Sequence, residues 1–89
     1  MRHARGIHYA LLGVVSQNPA GVHGYALKRQ CDRILGHFWQ LNFGEVYRIL
    51  DRLAEDGLIQ TVLADATTSR KVFRITDKGR AMIAAEAAR

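Results

Sequence analysis

Few side chains in this 89-residue chain have the chemistry for catalysis, and their spacing argues against it. Ser16, Ser69, Cys31 and the histidines His3, His8, His23 and His37 form no nucleophile-plus-base pattern tied to a Gly-rich elbow. No Gly-rich loop ending in Lys-Ser/Thr is present to cradle a nucleotide phosphate, and no Cys/His set has zinc-ligand spacing. The expectation is therefore a protein that is not an enzyme and holds no metal and no cofactor. The lone Cys31 cannot form an intramolecular disulfide, which suits a reducing cytoplasm. It falls on an apolar helical stripe and is expected to be a small core residue rather than a redox sensor.

The chemistry that remains is cationic. Thirteen Lys plus Arg stand against eight Asp plus Glu, a net charge of +5, and ten of the thirteen are Arg. The planar guanidinium suits phosphate and base-edge recognition, so nucleic acid is the leading expected partner. With 48% hydrophobic residues, one Pro and eight Gly, the chain is not a disordered basic tail. A chain of this length buries about 60–65% of its unfolded surface, so residues 1–89 are expected to form a single domain with one core. The longest apolar stretch, Ile7 to Val15, is interrupted by His8, Tyr9 and Gly13, and reads as neither signal peptide nor membrane span. No membrane partner is expected.

Positioning the cations requires helices first. Ile7, Leu11, Leu12, Val14 and Val15 predict a first helix from Ala4 to Ser16, closed before Asn18-Pro19. Leu27, Cys31, Ile34 and Leu35 predict a second from His23 to Leu35, with Lys28, Arg29, Asp32 and Arg33 on the other side and Gly36 as a left-handed stop. The aromatic connector His37-Phe38-Trp39-Gln40-Leu41 suits one short strand, with Phe38 and Trp39 expected in the core. Asn42-Phe43-Gly44-Glu45 reads as a capping box opening a third helix from Gly44 to Asp56, with Val46, Ile49, Leu50 and Leu53 inward and Gly57-Leu58 as its stop. Leu58–Leu63 and Arg70–Ile75 predict a hairpin around a small polar tip. Thr76 or Asp77 caps a last short helix, within residues 77–89. The expected fold class is mainly α with a small β-hairpin (α+β), in the order α-α-(short β)-α-β-β-α: a winged helix-turn-helix.

In that fold the third helix enters a major groove, N-terminal residues first. Asn42, Gly44, Glu45, Tyr47, Arg48 and Arg52 are the candidate DNA contacts there, with Arg48 the best placed for base edges. Glu45 also serves the capping box, and Arg52 has Asp51, Glu55 and Asp56 as alternative partners. Tyr47 can bury its ring and direct its hydroxyl to a phosphate or to a core acceptor. At the hairpin, Thr68, Ser69, Arg70 and Lys71 suit a backbone or minor-groove contact, with Thr67 also at the tip and Arg74 further along; edge strands also carry cations merely to avoid aggregation. Lys28, near the start of the second helix, adds a candidate phosphate contact.

Tyr9-Ala-Leu-Leu-Gly-Val-Val, His23-Gly-Tyr-Ala-Leu-Lys28, the run Phe38 to Leu53, Gly57-Leu-Ile and Arg70 to Gly79 resemble, in this order, the DNA-binding domain of PadR-type transcriptional regulators. The resemblance covers nearly the whole chain. It implies a dimeric bacterial regulator, usually a repressor, on a palindromic operator, often released by a small aromatic or drug-like effector. Two positions depart from the family's pattern: Phe43 replaces its usual proline or serine before the helix glycine, and Glu45 a small or hydroxyl residue after it, so base preference does not transfer. Members normally continue into long C-terminal helices; with the chain ending at Arg89, the expectation is dimerisation through the last and first helices, or a fragment or minimal member. The alternative reading is a winged-helix protein–protein interaction module, using the third helix or the aromatic connector, without specific DNA binding.

Overall fold

The computed structural model describes residues 2–65 and 70–88. Its elements are α1 (Arg2–Ser16), β1 (Val22–His23), α2 (Gly24–Leu35), α3 (Phe43–Glu55), β2 (Ile59–Asp65), β3 (Arg70–Ile75) and α4 (Asp77–Ala87). This is the winged helix-turn-helix: α1 to α3, a β2–β3 hairpin and a closing helix, around a small antiparallel sheet of order β1-β3-β2.

Apolar stripes recurring every three to four residues give the helices one inward side each. Leu11, Leu12, Val14 and Val15 of α1, Leu27 and Cys31 of α2, and Val46, Ile49, Leu50 and Leu53 of α3 are buried together with Phe73 and Ile75 of β3. Ile34, expected on the α2 stripe, is 37% exposed. Leu35, the next and last residue of α2, packs against the core instead.

Both ends of α3 are fixed locally. The Asn42 side chain accepts from the Glu45 backbone N–H at 2.8 Å, and the Glu45 carboxylate accepts from the Asn42 backbone N–H at 2.9 Å. That is the expected capping box. At the other end Gly57 adopts φ +77, the left-handed conformation that favours glycine; its N–H reaches the Ala54 carbonyl and that of Leu58 the Leu53 carbonyl. The Thr76 hydroxyl donates to the Gly57 carbonyl and caps α4 through the Gly79 N–H, tying the start of α4 to the stop of α3.

Three expectations are corrected. The short strand is β1, ahead of α2, where Val22 and His23 pair with Phe73 and Val72. The connector instead curls back on α2: the N–H groups of Phe38 and Trp39 both donate to the Leu35 carbonyl at 2.9 Å, so neither is free for a sheet. Gly36 has φ −61, not a left-handed value; its N–H stays bonded to the Asp32 carbonyl, which lies where a Cβ would sit, so the glycine is needed for close approach. Finally, Phe38 and Trp39 are not core aromatics: Phe38 is 78% exposed, and half-buried Trp39 lines an open cleft of about 550 Å3 beside Lys28, Asp32 and His37.

Candidate nucleic-acid interface

The first turns of α2 and α3 meet. Tyr25, the second residue of α2, stacks on Phe43, the first of α3, with ring centroids 5.8 Å apart and planes inclined by 14°. The Lys28 ammonium lies 5.2 Å from the Phe43 centroid and is held by Asp32 at 2.7 Å. Two helix N-termini, each with a positive dipole end and N–H groups lacking intrahelical partners, are thereby gathered at one place. At α3 the capping box satisfies two of those groups, whereas the α2 cap residue, His23, makes no side-chain hydrogen bond there.

Behind this surface Tyr47 locks the helix pair to the wing. Its ring packs against Phe73 of β3, centroids 6.1 Å apart, and its hydroxyl lies against Gly24, where a Cβ would collide with it. The ring is thus committed to packing while 38% of the residue remains exposed. Among the described residues its hydroxyl has no hydrogen-bond partner, which leaves it available to an outside acceptor.

The remaining expected residues divide into occupied and available. Asn42 and Glu45 are engaged in capping, but the Asn42 amide N–H2 has no partner among the described residues. Arg52 leans toward the C-terminal end of α3, 3.4 Å from Asp56. Lys28 is mostly covered and paired. Arg48 is exposed and has no partner among the described residues. Gly44 is exposed, and a Cβ there would meet only Asn42 Oδ1, at 3.3 Å. In the wing, Lys71 and Arg74 are exposed on β3, and Arg70 pairs with Asp65 in backbone register. Thr67, Thr68 and Ser69 lie outside the described residues.

Sequence reasoning missed the Tyr25–Phe43 stack. The signal was two aromatics, each next to a helix start, but their contact is tertiary and no periodicity encodes it.

Sorting the cations by partner sharpens the picture. Lys28, Arg52, Lys78 and Arg80 are occupied, Lys78 by the Asp56 backbone carbonyl at 2.8 Å and Arg80 by Asp77 at 3.7 Å. Among the described side chains the unpaired cations are Arg29 and Arg33 of α2, Arg48 of α3, and Lys71 and Arg74 of β3.

A model of the transcriptional regulator PadR-like family matches residues 11–85. The chain belongs to this family. It is similar to the Mycobacterium tuberculosis protein named "Probable transcriptional regulator Rv1176c", with 36% identity over 63 residues, covering 68% of this chain and 33% of that one. It is also similar to the "Negative transcriptional regulator PadR" of Bacillus subtilis, 27% identical over 78 residues, covering 85% of this chain and 42% of the relative. The chain thus spans less than half the length of these curated relatives. The Bacillus subtilis PadR structure in complex with operator DNA superposes with a TM-score of 0.77 at 25% identity, over 93% of this chain and 47% of that one. The same protein in complex with p-coumaric acid gives 0.75 at 24% identity, over 97% and 44%. The PadR-like family is one of transcriptional regulators, consistent with the expectation of no catalytic role. No helix among the described residues is long and apolar enough to cross a membrane.

Proposed function

We propose that this PadR-like chain is a sequence-specific, double-stranded-DNA-binding transcriptional repressor that binds a palindromic operator as a dimer. The observation that carries the reading is the distribution of unpaired cations: they fall on α2, α3 and β3, and the described cations of α4 are taken up by Asp56 and Asp77. A helix-turn-helix with its wing is where a duplex would meet them. Arg48 is the base-reading residue, supported by Gly44 and Asn42 in the same turn region, while Tyr47 and Lys71 address phosphate. Arg70, Thr68 and Ser69 belong to the wing contact in the same reading.

The dimer rests on α4. Its Ile83 packs toward the core and its backbone carbonyl accepts from the Tyr9 hydroxyl at 3.4 Å, while Ala81, Met82, Ala84 and Ala85 are exposed. That apolar side, next to α1, supports association of two copies in the cytoplasm. A small aromatic effector belongs to the same reading through the Bacillus subtilis relative. A p-coumaric acid titration followed by thermal shift tests it, and an unchanged melting temperature removes it.

Selection of binding sites from random duplexes tests the main proposal. The expected result is one enriched sequence with two half-sites about 10 base pairs apart or a multiple of that. Enrichment of nothing contradicts it. Exposed Phe38 and Ile34 specifically favour the second reading, a protein-interaction surface on the connector. The selection itself separates the two, because a protein-interaction module without specific DNA binding enriches no sequence.

A further inference from the structure

We propose that Phe43, held by its stack on Tyr25, is a specificity-determining residue that reads a thymine C5-methyl group in the major groove. The inference rests on the reading that α3 enters that groove. Phe43 lies outside the buried core and is 41% exposed, while Tyr25 is 63% exposed. Two large aromatic surfaces, stacked on each other beside a cation and still open to solvent, call for an occupant.

Geometry selects which one. Phe43 is the first residue of α3, and the N-terminal residues of a recognition helix are the ones that meet base edges. Major-groove edges are donors and acceptors, with the thymine methyl as their apolar feature, and a phenyl ring offers nothing to the polar ones. The ring is also held in place before binding. Tyr25 lies nearly parallel to it at 5.8 Å, and the Lys28 ammonium above the ring is pinned to Asp32. Little side-chain freedom is then lost on contact, which is where a single methyl group becomes worth reading. The charge near the ring also suits a polyanion, because Lys28 keeps two further N–H donors beyond the one given to Asp32.

The test uses the preferred duplex selected by the protein itself. Each thymine in turn is replaced by deoxyuridine, which deletes only the methyl group, and affinity is measured for the wild type, Phe43→Ala and Phe43→Leu. The expected result is one thymine per half-site at which uracil weakens wild-type binding about fourfold, the value of one buried methyl group. Phe43→Ala removes that penalty, and Phe43→Leu keeps part of it. Phe43 is at the surface and circular dichroism verifies that both variants fold. Equal weakening of thymine and uracil duplexes by Phe43→Ala, or no uracil penalty at any position in the wild type, overturns this assignment while leaving DNA binding intact. Failure to select any preferred duplex overturns the assignment together with the reading beneath it.

Discussion

Gly44 is the sharpest discriminator among individual residues. Glycine inside a helix is less stable than alanine by about 0.5–1 kcal/mol, and here only Asn42 Oδ1, at 3.3 Å, stands near the position of a Cβ. That oxygen is the cap acceptor for the Glu45 N–H, so a Cβ here would press on the capping box; close approach of an outside backbone gives glycine a second reason. Gly44→Ala is expected to change the melting temperature little, the helix-propensity gain being offset by crowding of the cap oxygen, and to weaken operator binding severalfold; unchanged binding would show that no duplex approaches this turn. Arg48→Ala should relax sequence preference, costing about 1–3 kcal/mol at one base pair, whereas Lys71→Ala should weaken all sequences alike. Competition with scrambled duplexes measures the difference. Cys31 offers a test of the core. Burial, reinforced by the neighbouring Asp32 carboxylate and opposed by Lys28, pushes its thiol up to about 11. The fold thus holds the proton more tightly than the unfolded chain, whose thiol titrates near 8.5, so this contribution is complete below about pH 8.5 and is lost as pH rises toward 11. Urea titrations from pH 8 to 10.5 should show wild-type stability falling more steeply than that of Cys31→Val; parallel curves would contradict the assignment.

At the scale of elements, α3 depends on its two ends and on the contact that seats it. Asn42→Ala removes the acceptor for the Glu45 N–H and leaves the Glu45 carboxylate without its reciprocal geometry, an expected loss of about 1 kcal/mol by chemical denaturation. Gly24→Ala forces the Tyr47 hydroxyl away from α2 and with it the ring packed on Phe73. It is expected to lower stability and operator affinity together, because the angle between the helix pair and the wing changes. These elements also show what a sequence can and cannot declare. The buried sides of α1 and α3, the capping box and the stop at Gly57 are local patterns with local causes, and all were legible. β1 was not, because two residues carry no period and become a strand only by pairing with Val72 and Phe73, some fifty positions on. The connector misled for the complementary reason: its aromatic residues have high strand propensity, but Leu35 captures the two N–H groups a sheet would need. Arg48 and the choice of Asp56 as one partner for Arg52 could be picked out from helical spacing alone, whereas the Tyr25–Phe43 stack needed the assembled helices.

For the whole molecule, the charge of +5 matters through its placement. Carboxylates and a helix-end carbonyl take up Lys28, Arg52, Lys78 and Arg80, and the described cations left over sit on α2, α3 and β3. The apolar side of α4 with Met82 gives the second large-scale expectation: static light scattering at micromolar concentration should return twice the protomer mass, and Met82→Lys should shift it toward the monomer. A wild type that stays monomeric at these concentrations would remove the dimer. The central claim is that this surface binds a duplex through its free cations, and the salt dependence of affinity tests it most directly. The account predicts a linear fall of log affinity with log salt, steeper by about 0.9 for each phosphate neutralised, and a slope shallower by about 2 in the Lys71→Ala, Arg74→Ala double variant. A slope near zero, or no measurable duplex binding at low salt, would contradict it.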